Sequence, residues 1–351
     1  MLFGKRLQSD PLGEPRTLPP FNGTSGGCMR PWIVAAAIVT FFMVADSACA
    51  GQPPRPPVRM AYLQSDIHHL ALWVALEKNF FKEHGSEIEV KGVFKAGPEI
   101  MTAFAAGELD MAYVGEAPST TAVANKAARV VVLAQVNTEG SALVVSQKNS
   151  EIKELTDLRG KTIAVPGHST VQDFLLRRTL RGNGMDPLQV NIIVLKPPEM
   201  IAALRTGQID AFIAWEPYPS KAGTMSIGRN LMSSRQMWPA HPCCVLVSDQ
   251  SFVDSHPETA AAVVKAHIQA TDFIHRNPDE AVKIGVKYTG MDEATVRRAM
   301  HNVHYTYELS IQGEKEYVQF LSELGYIRLN DPDEFVHQFI NPVILKEILS
   351  K

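Results

Sequence analysis

An α/β fold of two similar lobes is what the sequence predicts, and three observations carry that expectation. Apolar stretches switch repeatedly between strand and helix periodicity, which implies mostly parallel sheets covered by helices. The block Phe104–Pro118 returns at Leu204–Pro217, with Gly107 matching Gly207 and Asp110 matching Asp210, 100 positions apart. The chain has 351 residues, which at about 150 residues per domain accommodates two such units.

The first unit opens with a strand at Val58–Leu63 and a polar turn, followed by a helix around Ile67–Phe81. Ile67, Leu70, Ala71 and Val74 fall at i, i+3, i+4 and i+7, one face of that helix. A strand follows near Glu87–Val93, and Pro98-Glu99 starts a second helix. Proline suits the first helical position, and glutamate favours the positive end of the helix dipole. Gly107 stops this helix, and Met111–Val114 is the next strand. The second unit repeats the order: strand 161–165, helix 170–181, strand 190–195, helix 198–206 and strand 210–214. Extended segments at Ala142–Val145 and Val245–Val247 lead into and out of this second unit, as a hinge requires. The rest reads as helices at Pro257–Arg276, Pro278–Tyr288, Asp292–His301 and Glu314–Leu324, placed mainly on the first lobe. The expected boundaries are therefore 58–142 with 245–351 for one lobe and 143–244 for the other.

The first fifty residues are a separate object. Met29-Arg30, the apolar run Trp32–Val44 and Ala48-Cys49-Ala50 have the parts of a secretory signal peptide spanning 29–50. That run is too short to span a bilayer, which needs about 20 apolar residues. Met29 is the expected true start, with 1–28 an upstream segment. Release after Ala50 is preferred over a lipid anchor at Cys49, because Asp46-Ser47-Ala48 lacks the large aliphatic residue of a lipobox.

Composition narrows the function. Lys+Arg is 34 against Asp+Glu 37, a net charge of −3, so nothing favours a phosphate backbone and no nucleic-acid partner is expected. Four cysteines do not make a disulfide framework. No Gly-x-Ser-x-Gly, His-Glu-x-x-His or Walker A sequence occurs, so neither an enzyme nor an ATPase is expected, and no cofactor.

At the repeated Gly-x-[Ile/Leu]-Asp blocks, the Trp215-Glu216-Pro217 segment and Leu155–Lys161 (L-x-D-L-R-G-K), the chain resembles a known family. It looks like the periplasmic substrate-binding proteins of ABC importers, in the nitrate/sulfonate/taurine branch (SsuA/TauA, NMT1/THI5-like). The resemblance spans roughly residues 58–330. It implies a type II periplasmic-binding-protein-like fold that captures a small solute between the lobes. It also implies a periplasmic monomer that delivers its solute to a permease and its ATPase at the inner membrane. An enzyme of the pyrimidine-synthase kind, or a pyrimidine-precursor binder, is the alternative on the same fold.

In open parallel sheets the ligand lies beyond the carboxyl ends of the strands. That selects Gln64, Ser65, His68 and His69 after the first strand, and His168, Ser169 and Thr170 at their counterpart. Ser169 or Thr170 would cap the following helix, where exposed N–H groups favour an anion. Glu116 and Ser119, with Trp215 and Glu216, follow the third strands; the repeat sets Glu116 and Glu216 facing the cleft from opposite lobes. Two carboxylates repel simple anions and suit a zwitterion or cation. His241 and Cys243 complete the ligand-binding set. His241 with Cys243 and Cys244 also makes a soft-metal site conceivable. A metal-capture protein would use those three with Glu116 and Glu216.

Overall fold

The Gly–x–x–Asp element that marks the repeat does the same mechanical work in both copies. In the computed structural model, which describes residues 56–350, Gly107 and Gly207 take left-handed φ angles of 70° and 76°. Each ends its helix there, at no steric cost. Three residues on, Asp110 Oδ2 accepts from the Arg59 amide at 2.8 Å, and Asp210 Oδ2 accepts from the Thr162 amide at 2.9 Å. Each aspartate thus pins the third strand of its unit to the first.

The strands are β1 (Val58–Leu63), β2 (Ile88–Phe94), β3 (Met111–Gly115), β4 (Val130–Glu139), β5 (Ser141–Ser146) and β6 (Thr162–Val165). β7 (Asn191–Val194), β8 (Ala211–Trp215), β9 (Gly228–Ser233), β10 (Pro242–Asp249) and β11 (Val303–Tyr305) complete them. One sheet has the order β11-β4-β10-β3-β1-β2, the other β7-β6-β8-β5-β9. In each, the first strand of the repeat lies between the second and third, parallel to both. The remaining pairings are antiparallel, because β5 and β10 come from chain crossing between the sheets and dock beside β8 and β3. Each sheet is therefore mixed, parallel only within its repeat. β3 and β8 are buried along their full length, as strands covered on both faces must be.

The chain crosses outward at Gly140, between β4 and β5, two residues before the expected boundary. It returns between β9 and β10 through a short helix, Ser234–Met237. Glu139 ties the two crossings together: its Oε2 accepts from Arg235 Nε at 2.6 Å and its Oε1 from the Ala240 amide at 3.0 Å.

The expected helix at 67–81 is broken into a 3₁₀ turn (Ile67–His69) and two helices, Leu70–Glu77 and Phe80–Glu83. Asn79, at φ 60°, makes the break, a conformation asparagine tolerates better than most residues. Helices Pro257–Arg276 and Pro278–Thr289 pack on Leu70–Glu77. The tail also reaches the second sheet's helices: Lys221 pairs with Asp292, and Tyr317 packs on Phe174 with ring centroids 4.4 Å apart. The expected signal peptide, Met29 and Cys49 lie outside the described residues.

His267, on helix Pro257–Arg276, is fully buried. Its Nε2 lies 2.8 Å from the Gln135 carbonyl and its Nδ1 3.1 Å from the Tyr113 hydroxyl. Burial pushes its imidazole down to about 4, so the folded protein keeps it neutral while the unfolded chain protonates near the ordinary value of about 6.5. Its contribution, about 3 kcal/mol, is present above pH 6.5 and lost as pH falls towards 4. Urea titrations of His267→Gln beside the parent protein should show a smaller loss of stability across that window; parallel curves would contradict the assignment.

Candidate functional site

The loop after β1 turns because Asp66 caps it, its Oδ1 accepting from the His68 amide at 3.1 Å. That turn drives His68 and His69 inward, where both are completely buried. His69 Nδ1 accepts from the Leu63 amide at 3.1 Å, and its Nε2 faces Asp66 Oδ2 at 3.8 Å. His68 Nε2 lies 2.8 Å from the Gly140 carbonyl, so that nitrogen carries a proton and donates it.

The other ring nitrogen is where chemistry gathers. Cys243 Sγ is 3.5 Å from His68 Nδ1, Cys244 Sγ 3.6 Å, and Asp66 Oδ1 3.4 Å. Neighbouring residues of a regular strand point to opposite faces. Here Cys243 is an extra residue in β10: Pro242 pairs with Thr138 and Cys244 with Asn137, leaving Cys243 opposite nothing. Such a bulge re-aims a side chain, and both sulfurs reach one atom.

Burial dominates the electrostatics of this cluster. It raises the Asp66 carboxyl to about 7. Burial opposes charge on His68 too, but Asp66 and Cys243 outweigh it and hold the imidazole up at about 9. For Cys243, burial pushes the thiol up, yet the hydrogen bond from Cys244 and the charge on His68 bring it well below its ordinary value. Cys244, buried beside Cys243, is held well above it.

Asp66, Cys243 and Cys244 border a cavity that also touches Gly115 at the end of β3, Thr170 after β6 and Trp215 at the end of β8. Every one of these strand-end positions lies on the carboxyl side, where α/β sheets bind ligands. The space is about 10 Å³ for the centre of a water-sized sphere, enough for about one water. Trp215 Nε1 is buried with no partner. Thr170 both caps the helix Val171–Gly182, accepting from the Asp173 amide at 3.3 Å, and borders the cavity. The lining also includes Gln172, and neither lysine nor arginine.

Several expected residues lie elsewhere. Glu116 does not face the cavity: it is buried beneath it, accepting from Gln135 Nε2 at 3.2 Å and sharing a proton with Glu314. The helix Glu116–Ala124 begins with this residue and turns its side chain into the core. Glu216 braces its turn, accepting from Asn302 Nδ2 at 2.6 Å and the Ser220 amide at 3.0 Å. It borders a separate polar cavity at the crossing, with Ser141 and Arg235. His241 is not with the cysteines; its Nδ1 contacts the Pro242 carbonyl and its ring stacks on Trp238. His68 meets both cysteines but does not itself border the cavity. Gln64 is exposed, and Ser65 bonds the Thr289 carbonyl at 3.3 Å. Ser119 bonds back to the Gly115 carbonyl at 3.0 Å. His168 is exposed and, with Ser169, borders a surface pocket away from the cysteines. Asp66, Gln172 and Gly140 were missed; the Asp–x–His–His spacing after the first strand was the available signal for Asp66.

Gly140 has a φ of 85°, and a Cβ there would lie 2.3 Å from His68 Nε2. Gly140→Ala should therefore cost more than the roughly 1–2 kcal/mol of left-handed strain alone, read as a lowered denaturation midpoint. An unchanged midpoint would mean that His68 is not held against this carbonyl.

Comparison with known proteins bears on the fold and family. The taurine-binding periplasmic protein of Escherichia coli K12 is 33% identical over 210 residues, 59% of this chain and 63% of that protein. The alkanesulfonate-binding protein SsuA of Xanthomonas axonopodis pv. citri superposes with a TM-score of 0.72 at 19% identity, covering 83% of this chain and 100% of that one. The nitrate-binding protein NrtA of Synechocystis PCC 6803 gives 0.72 at 18% identity, over 84% and 88%. These solved structures share the periplasmic-binding-protein fold with this chain. The NMT1-like family model matches residues 51–286, and the chain belongs to the NMT1-like family.

Proposed function

We propose that this chain is the extracytoplasmic solute-binding component of an ABC importer, closing on a small organic solute between its two sheets. The observation that carries this reading is the cavity lined from both sheets at the carboxyl ends of β1, β3, β6 and β8. Residues 58–142 with 245–351 form one moving lobe and 143–244 the other, hinged at Gly140 and at the return through Ser234–Met237. Space for about one water means that a solute enters with the lobes apart and is enclosed as they swing together. The relatives named for taurine, alkanesulfonate and nitrate support import of a small solute. A permease and its ATPase at the inner membrane are then the partners, and the protein acts as a periplasmic monomer. No helix among the described residues is long and apolar enough to cross a membrane.

The lining favours one charge class. Asp66 and two thiols border the cavity without any basic side chain, so a simple oxyanion finds no counter-charge there. A cationic or zwitterionic solute with N–H donors fits better than nitrate or a plain alkanesulfonate.

A thermal-shift panel of nitrate, alkanesulfonates, taurine, amines and pyrimidines tests this reading. A bound solute at a hundred times its Kd adds about 2.7 kcal/mol. The expected hits carry an amine or amidine; nitrate or an alkanesulfonate as the strongest ligand would overturn the charge assignment. Trp215→Phe, which keeps an aromatic face and removes the unpartnered N–H donor, should weaken a zwitterionic hit, whose acceptor oxygen can take that N–H, about tenfold, the value of one hydrogen bond. Unchanged affinity would place the solute elsewhere. The solute should be recovered intact and stoichiometric; its conversion would favour an enzyme acting through Cys243 and His68.

A further inference from the structure

The cluster at the floor of the cavity has more donors than hydrogen bonding needs. One imidazole lone pair requires one partner. Around His68 Nδ1 stand two sulfurs at 3.5 and 3.6 Å, with Cys243 and Cys244 brought to the same side by the bulge in β10. All three donor atoms lie within 4.8 Å of one another. A tetrahedral zinc ion with Zn–S about 2.3 Å and Zn–N about 2.0–2.1 Å sets nitrogen and sulfur ligands about 3.5 Å apart. The two nitrogen–sulfur distances are already those of a ligand set.

We infer that His68 Nδ1, Cys243 Sγ and Cys244 Sγ form a three-ligand site for a thiophilic d¹⁰ cation, Zn(II) or Cu(I), with a fourth position open to the cavity. Three features beyond spacing support it. His68 Nε2 donates to a backbone carbonyl, that of Gly140, which is how metal-bound imidazoles are oriented so that the opposite nitrogen is free to ligate. Two thiolates and a neutral imidazole sum to −2, so Zn(II) gives an uncharged assembly, the cheapest to bury among side chains with 0%, 0% and 3% exposure. Asp66 Oδ1 lies 3.4 Å from the same Nδ1, a further oxygen donor beside the set. Asp66 Oδ2 and His69 Nε2 are buried and unpartnered, and with Cys244 they make an overlapping second set of donors. Binding displaces two protons from the cluster to solvent and changes no oxidation state. Three protein ligands and a fourth position facing a pocket leave room for a water or a solute donor, the pattern of exchangeable zinc sites.

The site stands on donor geometry and not on the import reading, so a silent solute panel leaves it untouched. The test uses the full reduced chain, with Zn(II) titrated against a chromophoric chelator and Co(II) as the spectroscopic stand-in. The expected result is one equivalent bound at micromolar affinity or better, with thiolate-to-cobalt charge-transfer bands. His68→Gln, Cys243→Ser and Cys244→Ser should each weaken Zn(II) binding by at least about 100-fold, the upper range for losing even an outer-shell partner. His241→Ala should leave it within about threefold. In case a variant fails to fold, zinc on the parent protein should slow alkylation of both Cys243 and Cys244, read by peptide mass spectrometry, and a chelator should restore it. Absence of stoichiometric binding, binding that survives loss of either cysteine or His68, dependence on His241, or unprotected thiols would each overturn the assignment.

Discussion

The contact between His68 Nε2 and the Gly140 carbonyl, 2.8 Å long, is the constraint on which the site depends. Gly140 is where the chain leaves one sheet for the other, and His68 sits in the loop after the first strand. Their contact therefore joins the crossing between the sheets to the loop that borders the cavity. It works only because position 140 lacks a Cβ, and because glycine accepts the positive φ found there. Once the proton on Nε2 is committed to that carbonyl, Nδ1 must face the cysteines. The bulge at Cys243 then matters, since a regular strand would send one sulfur away.

Around this point the molecule keeps unusual company for a buried site. Asp66, Glu116, Glu216 and Glu314 are all nearly or completely buried, and burial raises each carboxyl above its ordinary range. Only Asp66 borders the cavity with the thiols. The glutamates are spent on framework: Glu116 and Glu314 share a proton beneath the site, and Glu216 holds a turn. The lining of this cavity carries neither lysine nor arginine.

Much of the architecture was legible because repeats carry mechanism. The matched glycines predicted matched helix ends, which Gly107 and Gly207 deliver; the strand clamps made by Asp110 and Asp210 emerged only from the structure. The antiparallel strands were harder to read. β4 and β9 stand at equivalent places in the two sheets, but an apolar strand such as Val130–Glu139 has the same composition as a buried helix segment. The site was half legible. His68, Thr170, Trp215 and Cys243 could be picked out because each stands at a strand end or in the loop beside one. Glu116 and Glu216 were misplaced because the repeat aligns backbone positions, whereas the first turn of each following helix decides where a side chain points. His241 was favoured over His68 as a cysteine partner through sequence proximity; the fold brings residue 68 to residue 243 instead.

The central claim is that His68 and the two adjacent cysteines converge on one point at the base of the cavity between the sheets. Zinc-edge X-ray absorption of the zinc-loaded, reduced protein tests this most directly. The account predicts two sulfur scatterers at about 2.3 Å and imidazole nitrogen at about 2.0–2.1 Å. A shell of nitrogen and oxygen alone, without sulfur, would contradict it.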